Sequence, residues 1–431
     1  MKRTPLILLL WGLLATAQGQ AVFQPLSPDT LVVPDTARAR NILLPDVWWN
    51  SYSGWQGGLL LGRTTAGARH RVLLGVSYNT GWSARPSPDS LLRSYADSFH
   101  RFNFYAYHAW RLRRAGVQPL LETEAMFRDG LLRLRWEGQH WQRDAAGHWH
   151  GFAGGYRWLY RPRDAWRDYL IAPDLWQTAA AQAYFWGSYT HYRRLPGAGW
   201  YAGSLGARAT APGSGVAYAW LQGEVQAALP WRGFRLRSRL FGRYGGGQPP
   251  VESQLYLAGG SPEDMYESAF LRGRGWVPQA MLDTDLGRRT YHLHYGGGLG
   301  LRGYSGYRAE FADAEPAFYG QSGLALNLEL AFDDWIPLSL PPLAQYFDLD
   351  LYAFYDVGIL GRNASTRAFD RVELDKLRQD AGLGLAVHLR PDVLLTEPLT
   401  LRLDLPIFLS RPPAVEDYIA FRWMLGIGQA F

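Results

Sequence analysis

The sequence has 431 residues, a formal net charge of +6 and no cysteine, which excludes disulfide bonds and thiolate metal sites. Aromatic residues make up 15% of the chain, and charged residues only 19%. The arginines are spread over alternating positions and do not form one basic stripe, so we expect no nucleic-acid partner.

The N-terminus has the pattern of a secretory signal peptide. Lys2 and Arg3 precede an uncharged apolar run at 6–17, and small residues suited to cleavage follow it. We therefore predict a cleaved signal peptide over residues 1–19 and export to the cell envelope. Residues 20–43 contain three prolines and are predicted to be an extended periplasmic arm. About 25 residues are too few for a folded domain, which needs at least about 50.

Residues 44–431 are predicted to form an all-β, antiparallel transmembrane β-barrel that contacts outer-membrane lipid. No later apolar stretch reaches the roughly 20 residues of a membrane-spanning helix. Composition alone is also compatible with a secreted β-sandwich or β-propeller protein, but the lengths of the predicted strands favour a membrane barrel. Apolar and polar residues alternate over 347–359, 381–389, 399–409 and 419–431. Such runs are longer than soluble strands of about 5–6 residues and match tilted membrane strands of about 9–11.

The connection lengths predict about sixteen strands. Short turns at 113–116, 195–199 and 230–233 alternate with long connections at 81–100, 162–178 and 246–320. Membrane barrels place short turns in the periplasm and long loops outside. With both chain termini in the periplasm, the number of strands must be even, and long loops must follow odd-numbered strands. This requires one further strand, predicted within 43–52, and it places the extracellular loop 246–320 between strands eleven and twelve.

The loop 246–320 contains a glycine-rich segment that ends in Leu301, Arg302, Gly303 and Tyr304. Loops longer than about 15 residues are usually functional or disordered. If the loop folds into the lumen, Arg302 needs carboxylate partners, because an unpaired buried charge costs several kcal/mol. The alternation points Glu329 and Asp356 inward on the following strands. One arginine can form hydrogen bonds to both.

With these motifs, residues 290–431 resemble the BamA/TamA superfamily of outer-membrane assembly factors and two-partner secretion pores, also called the bacterial surface antigen family. The resemblance implies a sixteen-stranded barrel whose sixth extracellular loop folds into the lumen. Its Leu301–Tyr304 tip would be held by Glu329 and by the Phe354-x-Asp356 motif. It also implies that the terminal Phe431 acts as the signal for barrel insertion.

The resemblance implies a role in outer-membrane protein assembly or protein translocation. The expected partners are client outer-membrane or secreted proteins and a separate periplasmic partner, because residues 20–43 leave no room for POTRA domains. The alternative is an anion-favouring pore or channel gated by the long loop.

We expect no enzyme activity, cofactor or metal. The sequence has no His-Glu-x-x-His, and residues 303–306 miss the Gly-x-Ser-x-Gly pattern. His148 and His150 share a strand face and could hold a metal, but a pair of lumen or surface histidines is the more common explanation.

Overall fold

The computed structural model describes residues 39–50, 54–66, 69–80, 102–112, 119–128, 130–161, 170, 175–177, 181–197, 199–267, 272, 293–305, 318–332, 346–361, 376–389, 399–412 and 417–431. The predicted signal peptide and residues 20–38 of the arm lie outside these residues. The first strand begins at Arg40, four residues before the predicted start of the barrel at residue 44.

Most of the described chain is β-strand. The strands are β1 Arg40–Asn50, β2 Gly54–Thr64, β3 His70–Asn79, β4 Phe102–Arg111, β5 Leu120–Arg128, β6 Leu131–Arg143, β7 Trp149–Tyr160, β8 Gln182–Arg194, β9 Trp200–Thr210, β10 Tyr218–Trp231, β11 Phe234–Gly247, β12 Leu255–Tyr256, β13 Leu293–Tyr295, β14 Tyr319–Gly320, β15 Ser322–Ala331, β16 Phe347–Gly361, β17 Arg378–Leu389, β18 Leu399–Leu409 and β19 Met424–Ile427. A short helix, α1, spans Pro262–Glu267. None of the helices in the described ranges is long and apolar enough to cross a membrane.

The strand pairing confirms the predicted fold class. Seventeen strands belong to one sheet, and β12 and β14 form a second, two-stranded sheet. Consecutive strands from β1 to β8 pair antiparallel, as do consecutive strands from β15 to β19. β11 pairs directly with β15, so the loop between them separates the eleventh strand from the twelfth strand of the main series. A sheet of this kind and size is typical of a large outer-membrane β-barrel.

Burial along the strands is inverted relative to a soluble protein. On β10, Gln222, Glu224 and Gln226 are buried, whereas Leu221 and Val225 are each 51% exposed. β18 repeats the pattern, with buried polar and exposed leucine side chains alternating. Large contiguous apolar surfaces mark contact with a partner or with lipid. An exposed apolar face backed by a buried polar face is the arrangement of a lipid-facing barrel strand.

The chain forms two compact units. The first comprises residues 1–192, 205–219 and 266–276, and the second comprises 193–204, 220–265 and 277–431. Within the first unit, the sheet packs on an aromatic cluster, which contains Met126, Leu131, Leu159, Leu170, Trp176, Tyr184 and Tyr266. Within the second unit, loop and strand residues share one core, which contains Phe241, Leu255, Leu257, Leu299, Leu301, Tyr304, Phe318, Ala325, Leu360 and Leu409.

The last strand is shorter than the predicted strand over 419–431. β19 covers only Met424–Ile427, and Ile419 forms an isolated bridge with Phe408. Gly428 has φ +81°, a left-handed conformation that favours glycine and ends the strand. The chain beyond it leaves the sheet, so Phe431 does not continue the alternation.

Candidate functional site at the loop tip

Two short strand pairings hold the loop between β11 and β15. β12 pairs with β14 inside the loop. β13 pairs in parallel with the last strand, placing Leu293 opposite Leu425 and Tyr295 opposite Ile427. Gly298 and Gly300 then take φ values of +55° and +70°, so the backbone turns where side chains other than glycine would be strained. The segment ends in a single 3₁₀ turn, Arg302–Tyr304.

Arg302 has no solvent exposure and is enclosed by carboxylates. Its Nε and Nη2 donate to the two oxygens of Asp356 at 2.8 and 3.2 Å. Its Nη1 donates to Glu329 Oε1 at 2.7 Å. The planar guanidinium therefore forms a two-bond fork with one carboxylate and a single bond with another, a geometry that lysine cannot reproduce. The structure brings together the three residues that the sequence predicted as partners.

Two aromatic rings complete the surroundings of Arg302. The ring centroid of Phe354 lies 4.2 Å from the guanidinium carbon, within the range of a cation–π contact. The ring of the terminal Phe431 lies 5.8 Å away. Phe354 thus lies where the resemblance placed it. Phe431 contacts the tip of the loop in addition to any role as an insertion signal.

The other three tip residues are packed tightly. Leu301 is fully buried, and a Cβ on Gly358 of β16 would come within 2.8 Å of its Cδ1. A Cβ on Gly303 would lie 2.5 Å from Leu409 Cδ2 and 2.8 Å from Asp380 Cβ. The hydroxyl of Tyr304 accepts a hydrogen bond from the main-chain N–H of Arg411 at 3.1 Å. The whole tip motif is therefore part of the protein core.

Sequence reasoning did not identify several residues that hold the tip. Asn327 Nδ2 donates to the carbonyls of Leu299 and Gly300 at 3.2 and 3.1 Å, and to Asp356 Oδ1 at 3.1 Å. Arg239 Nη2 donates to the Gly298 carbonyl at 3.0 Å. Asn327 lies two residues before Glu329 on the same strand face, so the alternation already contained the signal for it.

Asp404 is a third carboxylate near the arginine. Its Oδ1 lies 3.8 Å from Arg302 Nη1 and accepts a hydrogen bond from Tyr352, and its Oδ2 pairs with Arg402. The alternation of β18 puts Arg402 and Asp404 on one face, but only folding shows that this face meets the loop.

The electrostatics of the tip keep Arg302 charged and His294 neutral. Burial by itself would lower the pKa of Arg302, but Asp356, Glu329 and Asp404 raise it well above its usual value. Burial lowers the pKa of His294 well below its usual value, and the charges of Arg402 and Arg302 lower it further. The neutral ring accepts a hydrogen bond at Nδ1 from Arg402 Nη2 at 2.7 Å.

His148 directly precedes β7, and His150 is the second residue of that strand. His150 Nε2 is 3.2 Å from Asp144 Oδ2, and His148 Nδ1 is 3.5 Å from the same oxygen. The hydrogen bond with His150 and a second one from the main-chain N–H of His148 lower the pKa of Asp144. Within the described part of the chain, no group of three histidine, aspartate or glutamate side chains could hold a metal ion.

Comparison with known proteins gives structural neighbours only. No family model matches the sequence. No curated protein matches it either. Among solved structures, BamA from Haemophilus ducreyi lacking POTRA domains 1–3 shares 13% identity at a TM-score of 0.42, over 88% of this chain and 68% of that one.

CdiB supplies two further neighbours. CdiB from Acinetobacter baumannii shares 12% identity at a TM-score of 0.42, over 91% of this chain and 59% of that one. CdiB from Escherichia coli shares 10% identity at a TM-score of 0.45, over 91% of this chain and 63% of that one. The chain thus spans about three fifths of the CdiB chains. This protein is similar to BamA and CdiB, and its own strands have the apolar exposed face of an outer-membrane β-barrel.

Proposed function

We propose that the protein is a BamA/TamA-type outer-membrane barrel that acts in outer-membrane protein assembly or protein translocation. The observation that supports this proposal is the fully buried Arg302, held by Glu329 and Asp356. A buried ion pair adds little net stability compared with apolar packing, so its presence favours a role in holding the loop in one defined position.

The edge of the last strand suggests how such a role would work. β19 pairs with β18 over four residues, and β13 covers its other edge opposite Leu425–Ile427. An exposed strand edge can pair with a strand from another chain. A client strand would therefore compete with β13 for this edge, and movement of the loop would control access to it.

Depletion of the protein tests the assembly role. We expect the folded amounts of other outer-membrane proteins, or of one secreted client, to fall before growth is affected. Heat-modifiable migration of barrels on gels measures the folded fraction. Unchanged folding and secretion across the outer-membrane proteome would contradict the proposal.

Locking the loop tests the proposed mechanism. The chain has no cysteine, so Leu293→Cys with Leu425→Cys introduces one pair at register partners of β13 and β19. Neighbouring strands lie about 4.8 Å apart, within the range that a disulfide spans. We expect the oxidised double-cysteine variant to lose its assembly or translocation activity, and we expect a reductant to restore that activity. Each single cysteine variant is the control, and full activity of the oxidised pair would contradict a role for loop movement.

A gated pore is the second candidate. One face of β11 is basic and carries Arg237, Arg239 and Arg243. Arg239 donates a hydrogen bond to the loop from this face. Rings of basic side chains favour anions in a pore. Anion-selective conductance in planar bilayers that rises in Arg302→Ala, together with normal assembly of other barrels after depletion, would favour this function over the first.

A further inference from the structure

Tyr266 and Glu267, the last two residues of α1, belong to the first unit and contact its strands. The hydroxyl of Tyr266 donates to the main-chain carbonyl of Arg128 at 3.0 Å. Glu267 Oε1 accepts hydrogen bonds from Arg133 Nη1 at 2.5 Å and from Arg157 Nη1 at 3.2 Å. All of these groups except Arg128 are at least nine-tenths buried. This attachment involves none of the residues of the Arg302 site.

The ion-paired side chains around Glu267 carry more positive than negative charge. Besides the two arginines, β6 contributes Arg135, which pairs with Glu124 at 3.2 Å and Glu137 at 3.5 Å. Arg133 also pairs with Glu124, and Arg157 with Glu137. These ion pairs join three guanidiniums and two carboxylates, an excess of one positive charge within the cluster. Glu267, from the loop, neutralises that excess.

The carboxylate of Glu267 uses only some of the hydrogen-bonding groups that Arg133 and Arg157 offer. Among the residues that the structure describes, its Oε2 has no hydrogen-bond partner, and neither does Arg157 Nη2, although the side chain of Arg157 is only 4% exposed. A carboxylate that is not tethered to α1 could turn to accept from both nitrogens of the Arg157 fork. Fork-to-fork pairs of this kind are the strongest arginine–carboxylate contacts.

We propose that Arg133 and Arg157 form a carboxylate-binding site, which Glu267 occupies as an internal ligand until α1 leaves and a carboxylate-bearing ligand replaces it. The ionised state of Glu267 fits this role. Burial alone would raise its pKa, but Arg133 and Arg157 lower it to about 2. This proposal does not depend on whether the protein assembles other proteins or conducts ions.

The test uses the full chain in lipid vesicles and the variant Glu267→Ala, which leaves room for one acetate. We expect sodium acetate to raise the Tm of this variant along a saturation curve, as a ligand specific to the folded state does. Sodium chloride at equal ionic strength and neutral acetamide should leave it unchanged. The wild type should not respond, because Glu267 fills the site.

Two further variants show whether the response belongs to this site. Glu263→Ala removes another buried carboxylate of α1, one that accepts a hydrogen bond from Ser253, and should give no acetate response. Adding Arg157→Gln to Glu267→Ala removes charge-assisted bonds and should raise the half-saturating acetate concentration at least about tenfold. Equal responses to acetate and chloride, or an equal response in the wild type, would overturn the proposal.

Glu267→Gln supplies a second readout if Glu267→Ala does not fold. The amide keeps the shape of the side chain but binds the arginines less well than a carboxylate. Acetate should then displace α1 and increase protease cleavage of the loop in Glu267→Gln but not in the wild type. Cleavage that does not depend on acetate would also overturn the proposal.

Discussion

Arg302 combines complete burial with several independent acceptors. Its donors are used by Asp356 and Glu329, while Asn327 ties Asp356 to the carbonyls of the same loop. Because every partner is itself buried, removing one member leaves an uncompensated charge in place. Single substitutions here should therefore have effects much larger than those of surface charges.

Replacing Arg302 by alanine should release the loop tip. Breaking a buried pair by removing one partner costs about 3–5 kcal/mol, mainly because the carboxylates of Glu329 and Asp356 remain buried without their cation. We expect faster protease cleavage within the loop in intact cells. Arg143→Ala, which removes an exposed arginine bonded to the Gly147 carbonyl, is the matched control. Unchanged protection in Arg302→Ala would show that the ion pairs do not hold the tip.

A methyl group at Gly303 should have a similar effect for a steric reason. It would overlap Leu409 and Asp380, whereas a methyl group at Gly203 would meet nothing within 4 Å. Overpacking of a filled core costs about 1–3 kcal/mol. We expect Gly303→Ala to lower the Tm and loosen the loop and Gly203→Ala to do neither. Equal Tm values for the two variants would contradict the packing described here.

The loop elements are too short to be stable alone. β12 and β14 have two residues each, β13 three and α1 six. Isolated helices below about 12–15 residues are marginal in water, so these segments take their shape from the strands that they contact. β13 and α1 each contain a side chain bonded to the strands: His294 to Arg402, and Glu267 to Arg133.

The attachment of α1 should depend on pH through Glu267. Its pKa is lowered from 4.5 to about 2, chiefly by Arg133 and Arg157 acting against burial. A depressed pKa means that the stabilisation is complete above about 4.5 and is lost as the pH falls towards about 2. The difference in Tm between wild type and Glu267→Gln should shrink over this interval. A constant difference between pH 6 and pH 2 would contradict the pairing.

At the scale of the whole molecule, the exposed surface of the strands is apolar and the buried surface is polar. Leu240 is 57% exposed on β11, while its neighbour Arg239 is 3% exposed. We therefore expect lipid to surround the leucine face. The buried polar face contains the paired networks around Arg302 and Glu267.

A charge placed on this apolar face should destabilise the folded protein in vesicles. Arginine at the middle of a lipid-facing strand costs about 2–4 kcal/mol, and about 0–1 kcal/mol near the interfaces. We expect Leu240→Arg to show the larger cost in denaturant unfolding. Gln142→Arg, at an exposed position near the end of β6, should show the smaller one. Equal costs would argue against lipid contact at Leu240.

Much of the fold could be predicted because alternation is a local property. The strand predicted within 43–52 appears as β1, and β18 ends at the predicted residues. The pairs of Arg302 with Glu329 and Asp356 could also be anticipated, because the alternation points both carboxylates inward on the two strands that follow the loop. The end of β19 could not be predicted. Gly428 turns the chain out of the sheet, and the partner of this strand is β13, a loop segment that is distant in sequence.

The sequence by itself determined the strand class, the sixteen strands other than the short loop strands β12 to β14, and the loop that carries the tip. Period-two patterning and turn spacing depend only on residues that are close in sequence. Only the tertiary structure decided which inward side chains meet. Arg133 and Glu267 are 134 residues apart, and His294 and Arg402 are 108 residues apart. No local pattern predicts contacts at such separations. The Arg302 tip could be predicted from its sequence motif, whereas the pairing of Glu267 with Arg133 and Arg157 could be identified only in the folded structure.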